Sequence, residues 1–136
     1  MRAVFVDAAY WIALANRKDR LHAAAVSLAG GLRGAKRYTT QEVLGEVLTS
    51  FSRLGEGMRQ RAIKLVRALE SDPNVIVIPQ SSRSFSEGLR LYAKRPDKGY
   101  SLQDCISMNA MWTHGISEVL TSDHHFEQEG FTILLK

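Results

Sequence analysis

Apolar positions along the chain fall into two kinds of segment. Compact, mostly apolar runs stand at Ala3–Val6, Val75–Ile78 and Val119–Thr121, with minimal ones at Tyr38–Thr40 and Thr132–Leu135. Between them, apolar residues recur at the three- and four-residue spacing of an amphipathic helix. Helices are therefore predicted over Tyr10–Ala15, from Asp19 to the glycines at Gly30, Gly31 and Gly34, from Gln41 to about Leu54, over Met58–Glu70, over Ser82–Lys94, and from Leu102 to about His114. In the Gln41 helix Val43, Leu44, Val47, Leu48 and Phe51 recur at helical spacing; the Met58 helix is expected to turn Ala62, Ile63, Val66 and Leu69 inward and Arg59, Lys64 and Arg67 outward. Short runs that do not alternate polar with apolar are strands covered on both faces, and strands separated by helices form parallel sheets. The fold class predicted is α/β: a three-layer α/β/α arrangement around a central, mainly parallel five-stranded sheet. No repeat or linker divides the chain, so residues 1–136 are expected to form a single domain.

That architecture gives four acids a shared address. Asp7 ends the first strand and Asp123 follows the fourth, and a carboxylate just past the carboxyl end of a buried strand points into the crevice where open α/β sheets bind ligands. If the second and third strands lie on one side of the first and the fourth and fifth on the other, the strand order reverses between the first and the fourth. Asp7 and Asp123 then face each other across the switch point, and Asp104, at the start of the helix leading to the fourth strand, approaches the same crevice. The Gln41 helix offers Glu42 and Glu46. Thr39-Thr40-Gln41-Glu42 makes Glu42 a candidate capping-box partner on the solvent side, whereas Glu46, beside Gly45 and nearer the apolar stripe, is the better fourth acid.

Each acid has a structural alternative. Asp7 and Asp123 stand where a helix or turn needs a cap, and Ser101-Leu102-Gln103-Asp104 fits the capping-box pattern. Convergence of all four favours chemistry, because clustered carboxylates repel one another and require a cation. Oxygen-only donors suit Mg²⁺, with Mn²⁺ as a substitute, and such an ion supports hydrolysis of a phosphodiester.

The formal charge of +4 and the pI near 9.5 favour an anionic partner, with nucleic acid first. A lone cysteine, Cys105, excludes an intramolecular disulfide and reads as a small buried thiol, which fits a cytoplasmic setting. No stretch approaches the roughly 18 apolar residues of a membrane span, so no membrane partner is expected. A phosphoaspartate phosphatase would need a second acid where Ala9 stands. A receiver-type signalling domain would need adjacent acids after the first strand and an aspartate after the third, where Pro79-Gln80 occurs instead.

The segments Val6 to Leu14, Asp19 to Ala25, Thr39 to Glu46, Ser101 to Cys105 and Leu120 to Phe126 together resemble PIN domains, in particular VapC-type toxins, and they run through the whole chain in that family's order. The resemblance implies a five-stranded parallel sheet and an endoribonuclease dependent on Mg²⁺ or Mn²⁺. It further implies the toxin of a type II VapBC system, with an RNA substrate, a VapB-type antitoxin partner and a homodimer. It carries the acidic set onto Asp7, Glu46, Asp104 and Asp123, and prefers Glu46 to Glu42 because the family's glutamate follows a Val-Leu-x pattern like Val43-Leu44-Gly45. Ala8 and Ala9 depart from the serine or threonine that often follows the family's first acid. A catalytically inactive RNA- or protein-binding module and a housekeeping RNA-processing nuclease are the alternatives.

Four further expectations concern the surroundings of the acids. Asp19 and His22 read as a helix cap and a packed histidine. His124 and His125 are assigned to a loop, since two adjacent histidines in an extended turn cannot both face one crevice. Lys94, Arg95 and Lys98 are candidates for phosphate contacts. Tyr100 reads either as a stacking surface for an unpaired base or as a partly buried loop aromatic.

Overall fold

The computed structural model describes residues 2–136. Its elements follow in the order β1 (Ala3–Val6), α1 (Ala8–Ala15), α2 (His22–Gly31), β2 (Lys36–Thr40), α3 (Gln41–Phe51), α4 (Glu56–Ser71), β3 (Val75–Ile78), α5 (Ser82–Lys94), α6 (Leu102–Thr113), β4 (Glu118–Leu120), α7 (His125–Gln128) and β5 (Thr132–Ile133). The five strands form one sheet in the order β3-β2-β1-β4-β5, with every neighbouring pair parallel. The strand order thus reverses between β1 and β4, as the sequence predicts. Phe5 pairs with Tyr38 on one side and Val119 on the other, which makes β1 the central strand. Its Val4, Phe5 and Val6 are wholly buried. Right-handed crossovers place α1 to α4 on one face and α5 to α7 on the other, and α1 packs on α2 and α3 while α6 packs on α5 and α7.

Several boundaries differ from the predicted ones for local reasons. Helix α2 begins at His22 rather than Asp19, because the Asp19 carboxylate accepts a hydrogen bond from the Leu21 N–H and forms a turn ahead of the helix. The His22 ring packs as expected, with Nδ1 at 2.7 Å from the Ala13 carbonyl oxygen. Helix α3 stops at Phe51, short of Leu54, and the chain reverses at Gly55, whose φ of +94° suits glycine. Thr40 caps α3 by accepting from the Val43 N–H, so Glu42 is not its capping-box partner. The one-turn helix α7 is too short to leave a periodic signal in the sequence.

The placement of α6, which carries Asp104, depends on close packing against α5. A Cβ added at Gly88 would lie 2.6 Å from Cγ1 of Ile106, so the two helices meet where no side chain fits. Gly88→Ala is therefore expected to lower stability by about 1–2 kcal/mol, the overpacking outweighing the gain in helix propensity. Urea denaturation checks this, and an unchanged midpoint would show that Ile106 moves aside freely.

Candidate active site

The site is assembled by backbone that leaves the central strands. Asp7 takes an extended conformation at the N-cap of α1, and its N–H donates to the Leu120 carbonyl, tying the end of β1 to the end of β4. Its side chain makes no cap bond and instead accepts a 2.8 Å hydrogen bond from the Thr121 hydroxyl. That same oxygen accepts from the Asp123 N–H at 3.2 Å. One fully buried threonine thus bridges the two acids on either side of the switch point. Beneath them the Thr39 hydroxyl donates to the Val6 carbonyl and faces the Trp11 indole N–H at 3.5 Å, so buried polar contacts fix the start of α1 as well.

Asp104 serves two purposes. Its carboxylate accepts from the Ser101 N–H while the Ser101 hydroxyl accepts from the Asp104 N–H, the capping box that the sequence suggests. The same Oδ2 lies 3.2 Å from Nδ1 of His125. Asp123 likewise accepts from the His125 N–H at 2.9 Å, with the His125 ring 3.4 Å from its Oδ1. One ligand atom from each of Asp104, Asp123 and His125 falls within 4.8 Å of the others. For Asp104 and Asp123 the local backbone bond and membership of the cluster are compatible, because such a bond uses one lone pair and leaves the others free.

His125 corrects the loop assignment. The turn is helical rather than extended, so the two histidines diverge: His124 pairs with Glu127 on the surface, and His125 faces the acids. The Tyr100 and His125 rings pack edge to face, with their centroids 5.2 Å apart. Tyr100 itself is buried, and its hydroxyl donates to Glu129, which also holds Arg95 through two hydrogen bonds. Tyr100 is thus no stacking platform for a base and Arg95 no free phosphate contact. Both brace the loop that precedes Asp104, and Lys94 and Lys98 remain exposed.

The electrostatics bind Glu46 to the same group. Burial raises its pKa to about 7, and the charges of Asp7 and Asp104 push it the same way. Burial likewise raises Asp7 to about 6, reinforced by Asp104 and Asp123 and opposed by the Thr121 hydroxyl and the Ala8 N–H. Among the described residues no lysine or arginine pairs with any of the four acids; the His125 imidazole is the basic group that touches two of them. An acidic crevice with oxygen donors and no cationic side chain fits a hard divalent cation. The sequence pattern does not single out Thr121 or His125 as site residues. The available signal was their position within two residues of Asp123, at a strand end where side chains enter the crevice. Cys105 is fully buried, and burial pushes its thiol pKa upward.

The PIN domain family model matches residues 4–131. Among solved structures, the chain is similar to Mycobacterium tuberculosis VapC20, a sarcin-ricin loop cleaving toxin, with a TM-score of 0.84, 25% identity, and coverage of 95% of this chain and 96% of that one. It shares its fold with FitAcB from Neisseria gonorrhoeae, with a TM-score of 0.67 and 16% identity over 96% of each chain. It also shares it with VapBC2 from Rickettsia felis bound to a DNA fragment from their promoter, with a TM-score of 0.67 and 12% identity over 96% of each chain. No curated protein matches the chain significantly.

Proposed function

Because this chain belongs to the PIN domain family, we propose that it is a metal-dependent endoribonuclease, the toxin of a VapBC-type pair, which hydrolyses RNA phosphodiester bonds at the crevice between β1 and β4. The observation that carries the reading is the convergence of Asp7, Glu46, Asp104 and Asp123 there. Similarity over nearly the full length to a sarcin-ricin loop cleaving toxin supports the choice of RNA.

Asp7, Asp104, Asp123 and Glu46 supply oxygen donors for Mg²⁺, or Mn²⁺ in its place. When bound, the ion lowers the pKa of a coordinated water and offsets charge developing on the phosphodiester. The remaining work belongs to the chain. Thr121 holds Asp7 and Asp123 in register through one hydroxyl. With its proton on Nδ1, His125 donates to Asp104 and keeps that carboxylate turned into the crevice. His125→Ala is expected to slow cleavage about tenfold, the worth of a charge-assisted hydrogen bond, whereas His125→Asn, with an amide N–H in place of Nδ1, retains most of the rate. Single-turnover kinetics of the two variants decide the matter, and equal losses would deny the hydrogen bond its role.

The proposed partners are an RNA substrate, a VapB-type antitoxin and a second copy of this chain, acting in the cytoplasm. Phe85, Leu89 and Tyr92, each at least 50% exposed, form an apolar stripe on α5 that supports the homodimer. Among the described residues, no helix is long and apolar enough to cross a membrane. The test is cleavage of end-labelled RNAs, a sarcin-ricin loop hairpin included, by antitoxin-free protein with Mg²⁺, Mn²⁺ or EDTA. Cutting that requires the metal is expected. Cutting that persists in EDTA would remove the metal from the reading, and folded protein that neither binds Mn²⁺ nor cuts would favour an inactive binding module.

A further inference from the structure

Beside Glu46 lies an open groove of about 650 Å³, within the range of roughly 300–1,000 Å³ usual for small-ligand clefts. Its walls come from four separate parts of the chain: Ile12 of α1, Gln41 and Gly45 of α3, Gln80 just past β3, and Gln103 at the start of α6. Gln103 immediately precedes Asp104, so the groove opens onto the acidic crevice at the carboxyl edge of the sheet.

We propose that this groove binds an unpaired base of the RNA next to the scissile phosphate, and that Gln80 and Gln103 select which base is accepted. The proposal rests on the ribonuclease reading above. Charge decides what part of a nucleotide the groove takes. Its polar lining consists of three amides, the hydroxyls of Thr49 and Ser50, and the carboxyls of Glu42 and Glu46, with no lysine or arginine, so a phosphate is repelled and a neutral base is not. A glutamine amide places a donor beside an acceptor, the pattern that pairs with a base edge. Gln41 is already oriented, since its Oε1 accepts a 2.8 Å bond from the Gln80 N–H, which leaves its amide N–H groups for the groove. Half-buried Ile12 adds apolar surface against which a base can lie.

Gly45 supplies an independent observation. It lies one turn from Gln41 on the groove side of α3, yet a Cβ built there would meet nothing within 4 Å. Packing does not require a glycine at this position, and mid-helix glycine costs about 1 kcal/mol relative to alanine. What its missing side chain provides is an open floor beside Glu46.

The test uses an RNA library with randomised positions around the cut, treated with wild type, the Gln80→Ala/Gln103→Ala double variant and Gly45→Leu, with Mn²⁺ binding measured on each. Wild type is expected to favour particular bases at one position flanking the cut. The double variant should flatten that preference about tenfold at that position alone, and Gly45→Leu should raise KM, with Mn²⁺ binding retained in both. A preference unchanged in the double variant overturns the proposal, as does wild-type cleavage indifferent to flanking bases or a Gly45→Leu enzyme with unaltered KM. A Gly45→Leu chain that instead changes its sedimentation marks the groove as a protein interface and overturns it too. Wild type that cuts no RNA defeats the ribonuclease reading itself, and the base subsite falls with it.

Discussion

Asp104→Asn is expected to lower RNA cleavage by roughly a thousandfold or more while leaving the fold intact. The two halves of that expectation come from the two jobs of one carboxylate. As the capping-box partner, Asp104 needs only an oxygen that accepts from the Ser101 N–H, and asparagine keeps one; the reciprocal bond to the Ser101 hydroxyl comes from the backbone and is untouched. As a donor to a divalent cation it needs its negative charge, which asparagine lacks. Asp7→Asn makes the same separation, because its amide oxygen can still accept from the Thr121 hydroxyl. Circular dichroism, urea midpoints, Mn²⁺ titration and single-turnover cleavage should then show two folded chains with weakened metal binding and no cutting. A fully active Asp104→Asn enzyme would reduce Asp104 to a helix cap and take it out of the site.

The parts of this site that could be read from the sequence are those whose position follows from element order. Asp7 and Asp123 follow buried strands, the strand order reverses between β1 and β4, and Asp104 opens a helix with a recognisable cap, so their convergence follows from topology alone. Glu46 could be preferred to Glu42 because positions four apart differ by about 40° around the helix axis, which brings Glu46 nearer the apolar stripe. Contacts made across the sheet could not be read. Thr121 supplies to Asp7 the hydroxyl that Ala8 and Ala9 lack, from 114 residues away in sequence. His125 reaches Asp104 only because α7 closes a single turn, and four residues are too few to show a period. Tyr100 illustrates the same limit: whether a loop aromatic meets solvent or a buried glutamate depends on Glu129, which lies 29 residues away.

The burial of carboxyls in the crevice, reinforced by their mutual repulsion, is expected to appear as an inverted pH dependence of stability in metal-free protein. Asp7 and Glu46 are carboxyls raised in the folded chain to about 6 and about 7 from ordinary values of 3.8 and 4.5. Between those limits the folded chain holds more protons than the unfolded one, so stability is greatest below about pH 4.5 as far as these groups act and is lost as pH rises toward 7. The loss should total roughly 2–4 kcal/mol after discounting for partial exposure and for coupling between the acids. Glu129 acts oppositely: Arg95 and the Tyr100 hydroxyl hold it below its usual range, so its contribution disappears as pH falls through its folded value. In EDTA the urea midpoint should therefore peak in mildly acid solution and decline toward pH 8. Saturating Mg²⁺ should reverse the decline, because the ion binds the ionised carboxylates of the folded chain and stabilises it by mass action. Asp7→Asn should flatten the metal-free decline, since one of the two raised carboxyls is gone. A wild-type midpoint that stays level from pH 5 to 8 in EDTA would mean that the acids are neither desolvated nor crowded in the folded chain, and the electrostatic argument for a divalent cation would fail.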